Sequence, residues 1–274
     1  MNGEQDETRL SIPSVSIPYG QRFLRLALAP FNQICSSVSG GIFTPPQLAI
    51  ADIYINNIFV NPDIHDIFIK RIGFSMIRVH LTQIFQESGN ADQLQLNQFK
   101  FPIETMYLGL QPLINLTGVD NMTDWWRYHN VVTSLIPYPV AVPNSVPVPP
   151  YVLAFSQAVW RSFTRTIDTL QVVNHGVVLY DIFPFEFYSQ YIPYNYGDRI
   201  TAPEDPGLAM ITFNLYPGTY QPSGHFNFSQ ARETYLNWSG STISPINPAQ
   251  MVIVAMAINF LLLSEGTLVL RFSV

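Results

Sequence analysis

Along much of this chain, apolar and polar side chains alternate with a period of two, the pattern of half-buried β-strands. The alternation is cleanest in residues 221–229, QPSGHFNFS. There Pro222 holds φ at about −65°, and Gly224 supplies the positive φ that a tight turn needs. His225-Phe226-Asn227-Phe228-Ser229 then sends both rings to one face and the polar side chains to the other. A slip of one residue would put both rings in water, so the register is strongly specified.

Taken in order, residues 21–29 and 49–60 read as strands, with Leu24, Leu26 and Leu28 sharing a side. Asn61-Pro62-Asp63 is a helix start, with Asn as N-cap, Pro at the first helical position and Asp in the first turn. Ile64, Ile67 and Phe68 form one stripe, and the helix lasts about two turns before Gly73. Residues 74–86, with Ile77, Val79 and Leu81 on one side, and 99–111, through Met106, Leu108 and Leu110, return to strand. Between them, residues 87–97 read as a polar loop. Residues 151–160, 164–180 and 208–216 are further predicted strands, and 183–190 a short helix.

Residues 225–238 make one long strand or two with a bulge near 230–232, since Phe226, Phe228, Leu236 and Trp238 share parity. The apolar run 251–263 reads as a strand buried on both faces. With Ser264-Glu265-Gly266 as turn and residues 267–274 it predicts a closing hairpin, Leu268, Leu270 and Phe272 inward. Asp205-Pro206-Gly207 suits a type II turn. Residues 1–10 read as a flexible segment and 11–274 as a single domain. Its long inserted loops fall at about 31–47, 112–150 and 191–206. The expected fold is all-β, an antiparallel sandwich with one or two short helices. Eight strands with uneven loops favour a jelly roll.

Composition changes this picture in one respect. Charged residues are 12% of the chain, against about a quarter in ordinary soluble domains, while hydrophobics reach 47% with 19 Phe and 22 Pro. A surface so poor in charge points to burial against partners, the other reading being a large aromatic core. The net charge of −6, with no basic run, speaks against a groove for nucleic acid. Cys35 is the single cysteine, so a disulfide-stapled scaffold is excluded. The apolar run from 251 to 263 falls short of the ~20 residues of a membrane-spanning helix.

Candidate chemistry is sparse. The histidines at 65, 80, 129, 175 and 225 show no metal-ligand spacing, and HExxH, GxSxG, CxxC and the P-loop are absent. The residues point to no enzyme, cofactor or metal. The candidates are contact residues. Trp125 and Trp126 either anchor a partner or close a loop over the chain's own core. Tyr191, Tyr194 and Tyr196 form an aromatic loop. His225, with Asn227 and Ser229, either fixes its strand by hydrogen bonds to a neighbour or lies on an ordinary solvated face.

Four blocks carry a resemblance: IPSVSIPYGQRF (12–23), IYINNIFVNPDIHDIFIKRIGFSMIRVH (53–80), residues 221–235 and AINFLLLSEGTLVLRFS (257–273). In this order they resemble the major capsid proteins of large double-stranded DNA viruses, nearest the African swine fever virus type and its amoeba-infecting relatives such as faustovirus. The resemblance implies the second, C-terminal jelly roll of a double-jelly-roll capsid protein, with the first absent. It implies homotrimers of pseudo-hexameric outline tiling an icosahedral virion capsid assembled in the host cytoplasm, beside neighbouring capsomers and minor capsid proteins. The long loops would then supply trimer contacts and an outward tower. The alternative is a β-sandwich that binds carbohydrate or a receptor through exposed aromatics such as Trp125, Trp126 and residues 191–196.

Overall fold

The computed structural model describes residues 14–17, 23, 25–28, 49–52, 54, 59–70, 72–117, 126–140, 154–196, 200, 202–231, 233–264 and 266–272, without the side chains of 117, 131–140 and 154–162. The strands are β1 (Gly73–Glu87), β2 (Ala91–Gln95), β3 (Pro102–Pro112), β4 (His129–Val140), β5 (Ala154–Arg165) and β6 (Thr169–Asn174). They continue with β7 (Val177–Pro184), β8 (Leu208–Thr212), β9 (Phe226–Asn227), β10 (Thr234–Ser239), β11 (Ala249–Ser264) and β12 (Thr267–Leu270).

One sheet runs β1-β11-β3-β8, with β12 on β11 and β9 on β3; a second runs β2-β10-β6-β7. Setting aside the hairpin β4–β5 and the short β9 and β12, the order along the chain is informative. First pairs with last, second with second-to-last, third with sixth and fourth with fifth. That is a long hairpin rolled across two sheets, the jelly-roll connectivity expected from the sequence. The two inner faces meet in one core. Met106, Leu108, Leu110, Met251, Ile253 and Ala255 of the first sheet pack with Leu170, Val172, Leu236 and Trp238 of the second.

The helix α1 (Pro62–Lys70) begins at the predicted proline, but Ile64 and Ile67 are exposed rather than packed on a core. β11 is buried or half-buried on both faces as far as Phe260, as its apolar run requires. Several expectations are corrected. The described residues of 21–29 and 49–60 carry no strand, and their apolar side chains, Phe23 and Tyr54 among them, are exposed. The polar loop 87–97 contains β2. It was concealed because only Leu94 of ADQLQ turns inward. Residues 112–150 are no continuous loop: α2 (Leu113–Thr117) and all of β4 lie within them.

The run 164–180 is split between three strands, ending β5 and then folding back at His175 and Gly176, whose φ values are 47° and 78°. Two positive φ values in a two-residue turn are the hairpin geometry that matches strand twist, and Gly176 supplies the easier half. The strand 225–238 is two strands in different sheets, β9 and β10, so the shared parity of its aromatics reflects one core approached from both sides. β12 pairs only with the last residues of β11, Leu261–Ser264, and leaves Leu270 exposed, while Phe272 reaches the core.

Candidate functional site

The feature that no sandwich requires is the ribbon β4–β5. Its strands pair in unbroken register from His129 opposite Arg165 to Val140 opposite Ala154. Twelve residues per strand reach about 40 Å at ~3.3 Å per residue. Among the described residues the ladder is joined to no other strand. Pro137 and Pro139 lie inside β4 at positions of the same parity. In an antiparallel pair every second residue turns its N–H away from the partner, so a two-stranded ribbon can hold two prolines of one parity without losing a ladder bond. The same prolines, read from the sequence as loop formers, blunt the open edge of a strand.

The ribbon's root is fastened to the sandwich by polar residues from four directions. Asp205 Oδ2 accepts from Tyr128 N at 2.9 Å, and its Oδ1 lies 3.0 Å from His129 Nδ1 and accepts from Gly207 N at 2.7 Å. Burial pushes the Asp205 carboxyl up, but the hydrogen bonds from His129, Tyr128 and Gly207 outweigh it and hold the carboxyl below its ordinary range. Asn115, buried in α2 just after β3, donates to the carbonyls of Arg127 and His129, each at 3.0 Å. Thr166 Oγ1 donates to Tyr128 O, and Asn247 Nδ2 to Asn130 Oδ1.

Gly207 is required here for space. A Cβ on it would stand 1.8 Å from Tyr128 O. Its φ is not among the positive ones, so the turn at Asp205-Pro206-Gly207 is not the type II predicted, although Leu208 N does bond Asp205 O.

Around this root the expected aromatic appears. Trp126 is half exposed, with the Arg127 guanidinium 5.8 Å from its ring and 5.4 Å from that of exposed Phe163. Trp125 lies outside the described residues.

Of the tyrosines predicted in a loop, Tyr191 and Tyr194 are instead helical, and Tyr196 caps the end of the helix. The chain passes through a π-helical turn, Phe187–Tyr191, into α3 (Ile192–Asn195). Phe183, Phe187 and Tyr191 stack at 4.4 and 5.2 Å, leaving Tyr191 and Tyr194 exposed, while Tyr196 leans on the core. The hydroxyl of buried Tyr188 lies 3.0 Å from both Leu170 O and Asp181 O, which share its one proton, and burial raises its phenol strongly.

Residues 221–229 serve the core. Gly224 has φ 141°, and Phe226 and Phe228 join Phe213 and Phe99 in a cluster of edge-on and tilted rings. His225 is exposed, and its ring has no hydrogen-bonding partner among the described residues. The predicted contact residues thus sit on three separate elements.

What sequence reasoning missed is the fastening. Arg78 of β1 reaches across β11 to Glu104 of β3, Nε to Oε2 at 2.6 Å, with both side chains buried. Glu104 falls where the register of β3 and β11 shifts, a bulge that frees it from the ladder. Arg78 Nη2 also donates to Thr219 O at 2.7 Å and Tyr220 O at 3.1 Å, clasping the loop before residue 221. Lone charges inside apolar runs, in a chain this poor in charge, were the available signal.

Among the described residues, no group of three or more His, Cys, Asp or Glu can hold a metal ion, and no helix is long and apolar enough to cross a membrane.

Similarity to solved structures follows from the rolled topology. The faustovirus major capsid protein superposes with a TM-score of 0.63 at 38% identity, covering 75% of this chain and 36% of that one. The PBCV-1 virus capsid gives 0.54 at 16% identity over 79% of this chain and 55% of that one, a likeness of fold alone. The molecule is therefore a jelly roll of the viral capsid class. The chain belongs to the large eukaryotic DNA virus major capsid protein family, whose model matches residues 59–269. It is 35% identical to the hexon protein p72 of African swine fever virus, strain Badajoz 1971 Vero-adapted, over 98% of this chain and 48% of that protein. The major capsid protein of isolate Pig/Kenya/KEN-50/1950 gives the same values. The chain spans about half the length of the curated relatives it matches.

Proposed function

We propose that this chain is a structural part of a virion shell: a jelly roll that associates with copies of itself into homotrimeric, pseudo-hexameric capsomers of an icosahedral capsid, with no catalytic role. Residues 11–274 act as one unit, and the whole protein sets a second jelly roll beside it, in keeping with the half-length match to the relatives. The capsomers meet neighbouring capsomers and minor capsid proteins, and assembly takes place in the host cytoplasm.

The observation that carries this reading is the ribbon. A two-stranded hairpin is marginal by itself in water, yet this one extends about 40 Å from a root secured by Asp205, Asn115 and Thr166. Such an element is stabilised when a neighbouring subunit covers it. Trp126 at the root, Trp125 beside it in sequence, and Tyr191, Tyr194 and Tyr196 on the helical segment are the proposed contact residues, since aromatics dominate interface energetics. His225, exposed just before β9, is the remaining proposed contact residue. Replacing residues 135–159 by Asn-Gly tests the reading. The shortened chain is expected to keep its thermal midpoint and lose trimer formation; trimers that survive the deletion would overturn the role of the ribbon.

A further inference from the structure

On three strands of the second sheet, β2, β10 and β6, the outward positions carry no charge. Burial alternates along β10 and most of β6, and the register of β2 on β10 sets Leu94 inward and Gln93 outward, so alternate residues of each strand face away from the core. Gln93, Asn237 and Gln171 share one cross-strand row, with Asn237 Nδ2 donating to Gln171 Oε1 at 2.8 Å. The next row sets the hydroxyls of Ser239 and Thr169 2.6 Å apart, and Tyr235 stands on the other side. No outward position on these three strands is Asp, Glu, Lys or Arg. Charge borders this field: Asp92 lies on the inward parity of edge strand β2 but is exposed, Asp168 precedes β6, Glu233 meets His175, and Asp181 follows on β7. Asn237 Oδ1 is shielded from solvent and has no donor among the described residues.

We propose that this face docks against the same face of a second copy in a two-fold contact, joining one assembly unit to the next. The inference rests on the shell reading above and deepens it by naming a surface. Amides and hydroxyls donate as well as accept, so the face is complementary to itself. Each chain carries a net charge of −6, and a neutral field lets two copies approach with no like charges opposed. A basic or acidic partner would find no counter-charge there.

The field measures on the order of 14 by 17 Å from the spacing of strands and residues. That is well under the ~800 Å² per partner of a self-sufficient interface. It suits a contact repeated between units already held together elsewhere.

The test is sedimentation equilibrium of the 274-residue chain, fitted with separate constants for trimer formation and for pairing between units. It is run on the wild type, on Gln171→Glu and Gln171→Lys singly, and on their equimolar mixture. Each variant alone is expected to weaken pairing at least ten-fold, and the mixture to restore it. Gln93→Glu and Gln93→Lys provide an independent pair on another strand. Pairing unchanged by charge, a mixture that stays weak, one sign of charge that tightens pairing, or a wild type that does not pair would each overturn the inference. Trimers that persist while pairing ignores the charges remove this inference alone; absence of trimers removes the reading beneath it.

Discussion

Arg78→Ala is the most informative single change in the sandwich. In the native chain the guanidinium holds the Glu104 carboxylate at 2.6 Å through Nε and at 3.4 Å through Nη2, and it also caps the carbonyls of Thr219 and Tyr220. Glu104 is fully buried, so removing its partner strands an ionised carboxylate among apolar strands. Breaking one side of a buried pair costs about 3–5 kcal/mol, because the remaining charge has lost its solvent as well as its partner. Against a typical total of roughly 5–15 kcal/mol, that is a large fraction. At about 2–4 °C per kcal/mol for a domain of this size, the thermal midpoint falls by roughly 6–20 °C.

Urea denaturation followed by tryptophan fluorescence gives the free energy directly, and hydrogen exchange locates the damage. Amides of residues 213–224 should lose protection first, since Arg78 ties that loop to the sheet. The double variant Arg78→Met, Glu104→Leu should recover most of the loss, because it removes the charge with its partner. A cost under about 1 kcal/mol for Arg78→Ala, or a double variant as unstable as the single, would refute the reasoning.

Three further outcomes follow from the same geometry. Gly207→Ala should cost about 3 kcal/mol, since its Cβ would collide with Tyr128 O, whereas Gly176→Ala, in open space at φ 78°, should cost only about 1 kcal/mol; equal denaturation midpoints would contradict this. Glu87 is raised from 4.5 to about 7, by burial first and then by the charge of and hydrogen bond to Asp92. A raised carboxyl contributes stability below its unfolded value and loses it as pH rises through the folded one, so wild type should lose stability relative to Glu87→Gln between pH 4.5 and about 7. Asp205 has the opposite sign: its lowered carboxyl contributes above its ordinary 3.8 and loses that contribution in stronger acid, where the protection of the Tyr128 and His129 amides, relative to their intrinsic exchange rates, should fall in wild type and hold steady in Asp205→Asn.

Where apolar residues alternate or run on unbroken, the strands were legible: β1, β3, β8 and β11 appear close to their predicted places, and α1 starts at its proline. β2 was not, because a strand at a sheet margin with one inward leucine looks like a polar loop. β4 was hidden by Pro137 and Pro139, which are breakers in a wide sheet but share one parity in a two-stranded ribbon, where one edge of each strand is open. The split of 164–180 turned on Asn174-His175-Gly176, a hairpin signal buried in a Val-rich run.

The candidate contact residues were legible only as residue types. Aromatic content pointed to Trp126, Tyr191 and Tyr194, which are exposed, but Tyr196 leans on the core. The root at Asp205, Asn115 and Gly207 depends on residues some 80–90 positions apart meeting at one end of the roll, a relation no local pattern carries.

Light scattering coupled to size-exclusion chromatography bears most directly on the claim that the chain exists to be built against its own copies, run on this chain and on a form carrying the full length of the relatives. The account predicts a particle of three subunits, about three times the 31.0 kDa of the chain for the shorter form. A single subunit mass for both forms, at every concentration tried, would contradict it.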